Sequence, residues 1–94
     1  MREYCVYVTT NPARTVLYIG VTNNVRHRLA QHFQNRGTPE TFAGKYFCYS
    51  LIYIEQYADI ATAITREKEL KGWTRAKKNA LIATVNPNWD FLVP

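Results

Sequence analysis

The stretch Tyr18-Ile19-Gly20-Val21-Thr22-Asn23 decides how this chain folds. Its aromatic and β-branched residues predict a strand. The glycine inside that strand indicates a bulge or a point where another group must approach the backbone closely. Asn23 or Asn24 is then a helix N-cap, which predicts a helix over residues 24–35. A strand therefore passes almost directly into a helix.

The residues before this stretch predict a partner strand. Tyr4 to Thr10 is rich in β-branched and aromatic residues, and the turn formers of residues 11–14 separate it from a second strand over residues 15–21. The first twenty residues therefore predict a β-hairpin. In that hairpin Tyr7 and Tyr18 stand on neighbouring strands, close enough to share a pocket.

Further along the chain the pattern alternates between turn formers and regular elements. Residues 36–44 predict a mobile loop, and residues 49–56 predict a third strand. A helix is expected from Ile60 to Lys71, and another from Thr74 to about Val85. The order β-β-α-β-α-α predicts an α/β (α+β) fold, a small sheet with helices on its faces.

Composition limits the classes of protein. Ninety-four residues predict one domain over 1–94, and 12 Lys+Arg against 7 Asp+Glu give a net charge of +5. This charge favours an anionic partner, with nucleic acid first and a membrane surface second, although a mild excess also serves solubility alone. No apolar run approaches the ~20 residues of a membrane span. Cys5 and Cys48 are expected to be reduced and buried, and the absence of a targeting segment predicts a cytoplasmic protein.

The first predicted helix carries two candidate site residues. Val25, Leu29 and Phe33 form its apolar stripe, and Arg28 and His32 lie on the edge of that stripe, four residues apart. Each has an ordinary interpretation, as a surface arginine and a packing histidine. Beside a phosphate, Arg28 neutralises growing charge, and His32 assists proton transfer or orients a water.

The second predicted helix carries an acid where an apolar residue is expected. Ile60, Ala63, Ile64 and Leu70 define its apolar stripe, and Glu67 falls at the centre of that stripe. A carboxylate there is costly unless it is paired or coordinated. One interpretation is an ion pair with a buried Arg or Lys, or a slightly rotated helix. The other is a metal ligand, and a lone carboxylate suits Mg²⁺ that also binds a substrate phosphate.

Basic residues gather at the junction of the last two helices. They suit the flanking phosphates of a nucleic-acid strand. Trp73 lies among them and either stacks on a base or fills the core. The predicted nucleic-acid-binding residues are Lys71, Arg75, Lys77 and Lys78.

The combination of these features resembles a known family. Cys5-Val6-Tyr7, followed after ten residues by Tyr18-Ile19-Gly20, resembles the signature of the GIY-YIG nuclease superfamily. Arg28, His32 and Arg66-Glu67 follow in the order and spacing of that family. The greatest similarity is to its short, single-domain bacterial members, the excinuclease-C-like or UPF0213 type. Cys5 departs from the pattern, because the signature has glycine there.

The resemblance implies a three-stranded antiparallel sheet flanked by three helices, with the site on the face of the sheet. It implies that Glu67 binds one Mg²⁺ or Mn²⁺ and that Arg28 contacts the scissile phosphate. Asn86 corresponds to a family asparagine near the site, and Gly20 lies beside the tyrosines. The implied catalytic residues are Tyr7, Tyr18, Arg28, His32 and Glu67.

The role of Tyr7 stays open at this point. A phenol with an ordinary pKa of ~10 is a poor base at neutral pH. Either nearby cations lower the pKa of Tyr7, or Tyr7 only orients a water that passes its proton elsewhere.

The function implied by the resemblance is that of a metal-dependent endonuclease in DNA repair. The substrate is DNA rather than RNA, and recognition is structure-directed or weakly sequence-specific. Two alternatives remain. The chain is a nucleic-acid-binding module with little or no catalysis, or it is a catalytic part that relies on a protein partner for targeting.

Overall fold

Three strands form one antiparallel sheet with the first strand at its centre. A computed structural model describes residues 3–94 of the chain. Strand β1 (Tyr4–Thr10) pairs with β2 (Leu17–Thr22) on one side and with β3 (Ser50–Tyr57) on the other, in the order β2-β1-β3. β2 is therefore an edge strand. The antiparallel sheet and the β-β-α-β-α-α order of the main elements are confirmed.

Each helix begins at a capping side chain that the sequence supplies. The helices are α1 (Val25–Gln34), α2 (Phe42–Lys45), α3 (Ile60–Lys71) and α4 (Arg75–Ala83). The residue before each helix accepts a hydrogen bond from a backbone N–H three residues on, as N-caps do. These caps are Asn24, Thr41, Asp59 and Thr74.

Two predicted boundaries were wrong. The predicted loop over residues 36–44 contains the start of α2, a single turn that depends on the Thr41 cap and on burial of Ala43 and Gly44. The last helix ends at Ala83 rather than near Val85, because Thr84 and Val85 donate to carbonyls only three residues back, in a tight final turn.

The two faces of the sheet are covered by different helices. Val6, Val8 and Ile19 point to the face where α3 and α4 pack, and they form a core with Ala63, Leu70 and Ile82. Tyr7 lies between Val6 and Val8 and therefore points to the opposite face, where it meets α1. The sheet separates an aliphatic core from a polar, aromatic site.

The predicted apolar stripes are only partly buried. Phe33 on α1 is 47% exposed, and Ile60 and Ile64 on α3 are 47% and 38% exposed, so these three assignments were wrong. The face of α3 that reaches the core carries Ala63 and Leu70. These two residues seat the helix on the core, and residues 65–69 between them are polar or charged.

Arg66 anchors α3 to the sheet. Its guanidinium donates to both carboxylate oxygens of Glu55 on β3, at 2.9 and 3.1 Å. The phenols of Tyr53 and Tyr57 donate to the same carboxylate, at 2.5 and 2.6 Å. The side chains of Arg66 and Glu55 are only 23% and 15% exposed. A bidentate pair in such a site fixes the rotation of the helix about its axis.

Among the described residues, no helix is long and apolar enough to cross a membrane. Cys5 and Cys48 are buried free thiols, as expected.

We predict that Arg66→Met lowers the free energy of unfolding by about 3 kcal/mol, because it leaves the Glu55 carboxylate buried without its cation. Urea denaturation measures this loss. Arg36→Met, at an exposed arginine, is the matched control and should change stability by less than about 0.5 kcal/mol. Equal losses in the two variants would contradict the anchoring role.

The same network predicts a pH dependence. Burial acts to raise the pKa of Glu55, but hydrogen bonds from Arg66, Tyr53 and Tyr57 outweigh it and leave that pKa below its ordinary value. This contribution to stability is therefore complete above the unfolded pKa of about 4.3, and it is lost as the pH falls through the folded pKa. Glu55→Gln should lose part of the acid sensitivity seen in unfolding curves between pH 5 and pH 3.

Candidate active site

The ring of Tyr7 lies over the backbone of Gly20. The two residues are paired across β1 and β2, and Tyr7 is fully buried. A Cβ atom on Gly20 would lie 2.5 Å from the phenol oxygen and 2.6 Å from the ring carbon that bears it. No side chain other than hydrogen fits there, so the glycine of the deciding stretch is required by a close approach.

Helix α1 completes a cluster around this ring. The Tyr7 hydroxyl lies 2.9 Å from Nε2 of His32. The ring of Tyr18 is centred 6.1 Å from that of Tyr7 and 5.2 Å from that of His32. Arg28, one turn before His32, lies close enough to influence the pKa values of Tyr7 and His32. We call Tyr7, Tyr18, Arg28 and His32 the tyrosine cluster; the structure brings these four predicted site residues together.

The surroundings keep both partners of the central hydrogen bond neutral near pH 7. Burial raises the pKa of Tyr7, with a smaller contribution from Tyr18, and the Arg28 charge only partly opposes this. Burial and the Arg28 charge lower the pKa of His32. Both groups are neutral, so the imidazole tautomer sets the direction of this bond: either the phenol O–H donates to Nε2, or Nε2–H donates to the phenol oxygen. The cations do not lower the pKa of Tyr7 enough to make it a base, which favours the water-orienting alternative.

Two surface depressions meet beside the cluster. The first, which we call the cleft, is lined by Tyr18, Arg28, Gln31, His32, Asn35, Thr41, Phe42 and Ala43. The second lies at the edge strand β2, and we call it the edge groove. It is lined by Leu17, Tyr18, Ile19, Phe42, Lys71 and Lys78. The two share Tyr18 and Phe42 in their linings, so they lie next to each other.

Glu67 lies on α3, the helix that packs on the face of the sheet opposite to α1. Its side chain is 19% exposed and pairs with Lys71 at 3.5 Å. Within residues 3–94, Glu67 lines neither the cleft nor the edge groove, and it reaches the groove through Lys71. Glu67 is therefore partly buried, and its lysine partner is 51% exposed, whereas the predicted ion pair had a buried partner.

The fit to a divalent cation rests on this single carboxylate. Among the described residues, no group of three or more His, Cys, Asp or Glu side chains is placed to enclose a metal. One hard oxygen ligand that is partly open to solvent suits Mg²⁺ or Mn²⁺, which keeps waters and takes phosphate oxygens. Glu67 fits such an ion if Lys71 moves aside.

The predicted basic residues divide into two pairs. Lys71 and Lys78 line the edge groove. Arg75 instead donates to the Thr15 carbonyl at 3.0 Å, and the Nζ of Lys77 lies 4.1 Å from the centre of the Trp73 ring.

Trp73 and Asn86 serve the packing of the domain. Trp73 is half-buried against the core, which selects core filling from its two predicted roles. The buried Asn86 amide donates to the carbonyls of Ile52 and Asp90 at 2.8 and 2.9 Å, and it accepts from the Asp90 N–H at 3.0 Å. These bonds tie the C-terminal segment to β3.

Thr41 and Phe42 line the cleft but were not among the predicted site residues. They fell in the predicted mobile loop. The available signal was Thr41 three residues before Gly44, the spacing of a helix cap.

The fold and the tyrosine cluster define a class of protein, and comparison with known families agrees. Residues 3–79 match the family described as the GIY-YIG catalytic domain. The chain therefore belongs to the GIY-YIG family. Membership implies a function of the nuclease type.

Individual relatives are short proteins of the UPF0213 group. A UPF0213 protein of Natronomonas pharaonis is 35% identical over 81 residues, which cover 86% of this chain and 92% of the relative. One from Lactiplantibacillus plantarum is 33% identical over 78 residues, covering 83% and 76%. The solution NMR structure of a UPF0213 protein from Bacillus halodurans matches with a TM-score of 0.58 at 21% identity and covers 93% of this chain and 89% of that chain. This last likeness supports the fold alone.

We predict that Gly20→Ala displaces the Tyr7 ring and breaks its hydrogen bond to His32, because the added Cβ overlaps the phenol. The NMR signals of the His32 imidazole should shift, and its pKa should move. Gly72→Ala is the control, since a Cβ there meets nothing closer than 3.4 Å. Unchanged His32 signals in Gly20→Ala would show that Tyr7 is not held by this contact.

Proposed function

We propose that the whole chain, residues 1–94, acts as one divalent-metal-dependent endonuclease domain that hydrolyses phosphodiester bonds in DNA. The observation that carries the proposal is the tyrosine cluster, which places the Arg28 guanidinium and the His32 imidazole in the wall of an open cleft, with the buried Tyr7 phenol hydrogen-bonded to that imidazole. Together with family membership, this arrangement supports phosphodiester hydrolysis over mere binding.

Arg28 receives the scissile phosphate. Hydrolysis builds negative charge on the equatorial oxygens of the phosphate, and a guanidinium donates two parallel hydrogen bonds to such oxygens. Arg28 is partly buried in the cleft wall and has no carboxylate partner among the described residues. Its charge is available to the substrate.

The pair of Tyr7 and His32 removes the proton of the attacking water. His32 lines the cleft and takes up that proton, while the fully buried Tyr7 orients the imidazole, and through it the water, so Tyr7 need not ionise. Tyr18 lies beside both rings and orients the water. A neutral imidazole with a lowered pKa suits proton acceptance near neutral pH.

Glu67 holds one Mg²⁺ or Mn²⁺. When bound, such an ion supplies charge neutralisation at the phosphate and stabilisation of the leaving 3′-oxygen. Lys71 leaves Glu67 and, with Lys78, contacts flanking phosphates along the edge groove. Contacts of this kind read the phosphate backbone of the DNA, so recognition is structure-directed or weakly sequence-specific. Such recognition is compatible with a role in DNA repair in the cytoplasm.

A second candidate is a nucleic-acid-binding module with little or no catalysis. The Lys71 pair on Glu67 favours it, because that pair satisfies the carboxylate without a metal. DNA binding that persists in EDTA and weakens steeply with salt, with no cleavage of any substrate, would support this module. A stoichiometric partner in a pull-down would indicate targeting by another protein.

We predict that the purified protein nicks plasmid or branched DNA with Mg²⁺ or Mn²⁺, and that Glu67→Gln and Arg28→Ala lower the rate about 100-fold or more. Glu69→Gln is the matched control on the exposed side of the same helix and should keep the wild-type rate. Thermal unfolding verifies that all variants fold. Equal activity of Glu67→Gln and Glu69→Gln would remove Glu67 from the mechanism.

We predict an acidic limit of activity set by His32. Its pKa is lowered, so the rate should fall only as the pH drops below about 6.5, where the imidazole takes up a proton and stops accepting one. His32→Gln should have a low rate that does not fall further at acidic pH. His27→Gln, on the exposed side of α1, should keep both the wild-type rate and its fall at acidic pH. If the rate of His32→Gln still fell at acidic pH, another group would be responsible for the acidic limit.

A further inference from the structure

Exposed aromatic rings continue outward from the tyrosine cluster. The ring of Phe42 stacks beside that of Tyr18, with centroids 6.2 Å apart and planes inclined by 28°. The ring of Tyr46 is centred 4.7 Å from that of Phe42. Phe42 is 50% exposed and Tyr46 is 39% exposed. We call Phe42 and Tyr46 the aromatic platform.

The backbone under this platform is firmly held. Ala43 and Gly44 are buried, and a Cβ on Gly44 would lie 2.6 Å from both the Asn35 carbonyl and the Thr41 hydroxyl. The Cys48 N–H donates to the Ala43 carbonyl and the Gly37 N–H to the Gly44 carbonyl, each at 2.8 Å. Two solvent-facing rings on a tightly packed backbone present a surface that loses little entropy on binding.

The charges around the platform favour a polyanion. Lys45 lies 5.4 Å from the centre of the Tyr46 ring, and Lys71 and Lys78 line the edge groove together with Phe42. Residues 24–49 contain four Lys and Arg residues against one acid, Glu40. Aromatic rings interleaved with cations stack on bases and contact phosphates at the same time.

We propose that the aromatic platform stacks with an unpaired base next to the phosphate that Arg28 receives. This inference rests on the proposed function and names its substrate class: DNA with a single-stranded segment at the cut. A base inside a duplex is covered on both faces by its neighbours, whereas an unpaired base offers a free face to Phe42. The platform adjoins the cleft through Tyr18, so the stacked base and the bound phosphate belong to adjacent nucleotides.

The test measures binding without cleavage, in the Glu67→Gln protein with EDTA. The probes are one single-stranded oligonucleotide carrying 2-aminopurine at successive positions and its fully paired duplex. We expect tighter binding of the single strand and quenching of 2-aminopurine at one or two positions. Adding Phe42→Leu should weaken single-strand binding about tenfold and remove the quenching, because leucine keeps the apolar contact but has no ring. Phe42→Trp should restore both.

Phe91→Leu is the matched control. Phe91 is 44% exposed and lies under the Arg14 guanidinium, which is 4.1 Å from its ring centre. The Phe91→Leu substitution should leave single-strand binding and the quenching of 2-aminopurine unchanged. Equal effects of Phe42→Leu and Phe91→Leu, or equal binding of single strand and duplex without quenching, would overturn the platform. Cleavage is measured in a separate assay. A nuclease that does not prefer single-stranded DNA and a protein that stacks a base but does not cleave therefore give different results.

Discussion

The contact between Tyr7 and Gly20 is the constraint on which the site depends. Tyr7 is on the central strand and fully buried, and its ring has room only because Gly20 carries no side chain. That placement sends the hydroxyl toward His32, which fixes α1 over the sheet and brings Arg28 to the cleft. A single missing Cβ therefore links strand pairing, helix placement and the chemistry of the cleft.

Two neighbouring residues of α3 have different tasks. Arg66 binds Glu55 in a bidentate pair and fixes the rotation of the helix. With that rotation fixed, Glu67 on the same helix is held partly buried, and only Lys71 pairs with it among the described residues. The edge position of β2 then matters, because groups on the two faces of a sheet can reach one substrate only around an edge. The lysines and Phe42 line that route.

Local patterns were enough to predict the strands, their order and the neighbouring positions of Tyr7 and Tyr18, because residue alternation and turn chemistry are local properties. The anchor between Glu55 and Arg66 was not predicted, because it joins a strand to a helix through tertiary packing. An acid on the core face of an apolar strand was its only signal. Phe42 was assigned to a loop because one turn of helix has almost no periodicity, and its position depends on burial of its neighbours.

The central claim is that Glu67 and Arg28 act on the same phosphate around the β2 edge. The most direct measurement is an anomalous-scattering map of crystals soaked in Mn²⁺ with a short single-stranded oligonucleotide. We predict a Mn²⁺ peak about 2.0–2.2 Å from a Glu67 carboxylate oxygen, with one phosphate contacting both that ion and the Arg28 guanidinium. A Mn²⁺ site remote from Glu67, or a phosphate on Arg28 that the ion does not reach, would contradict the account.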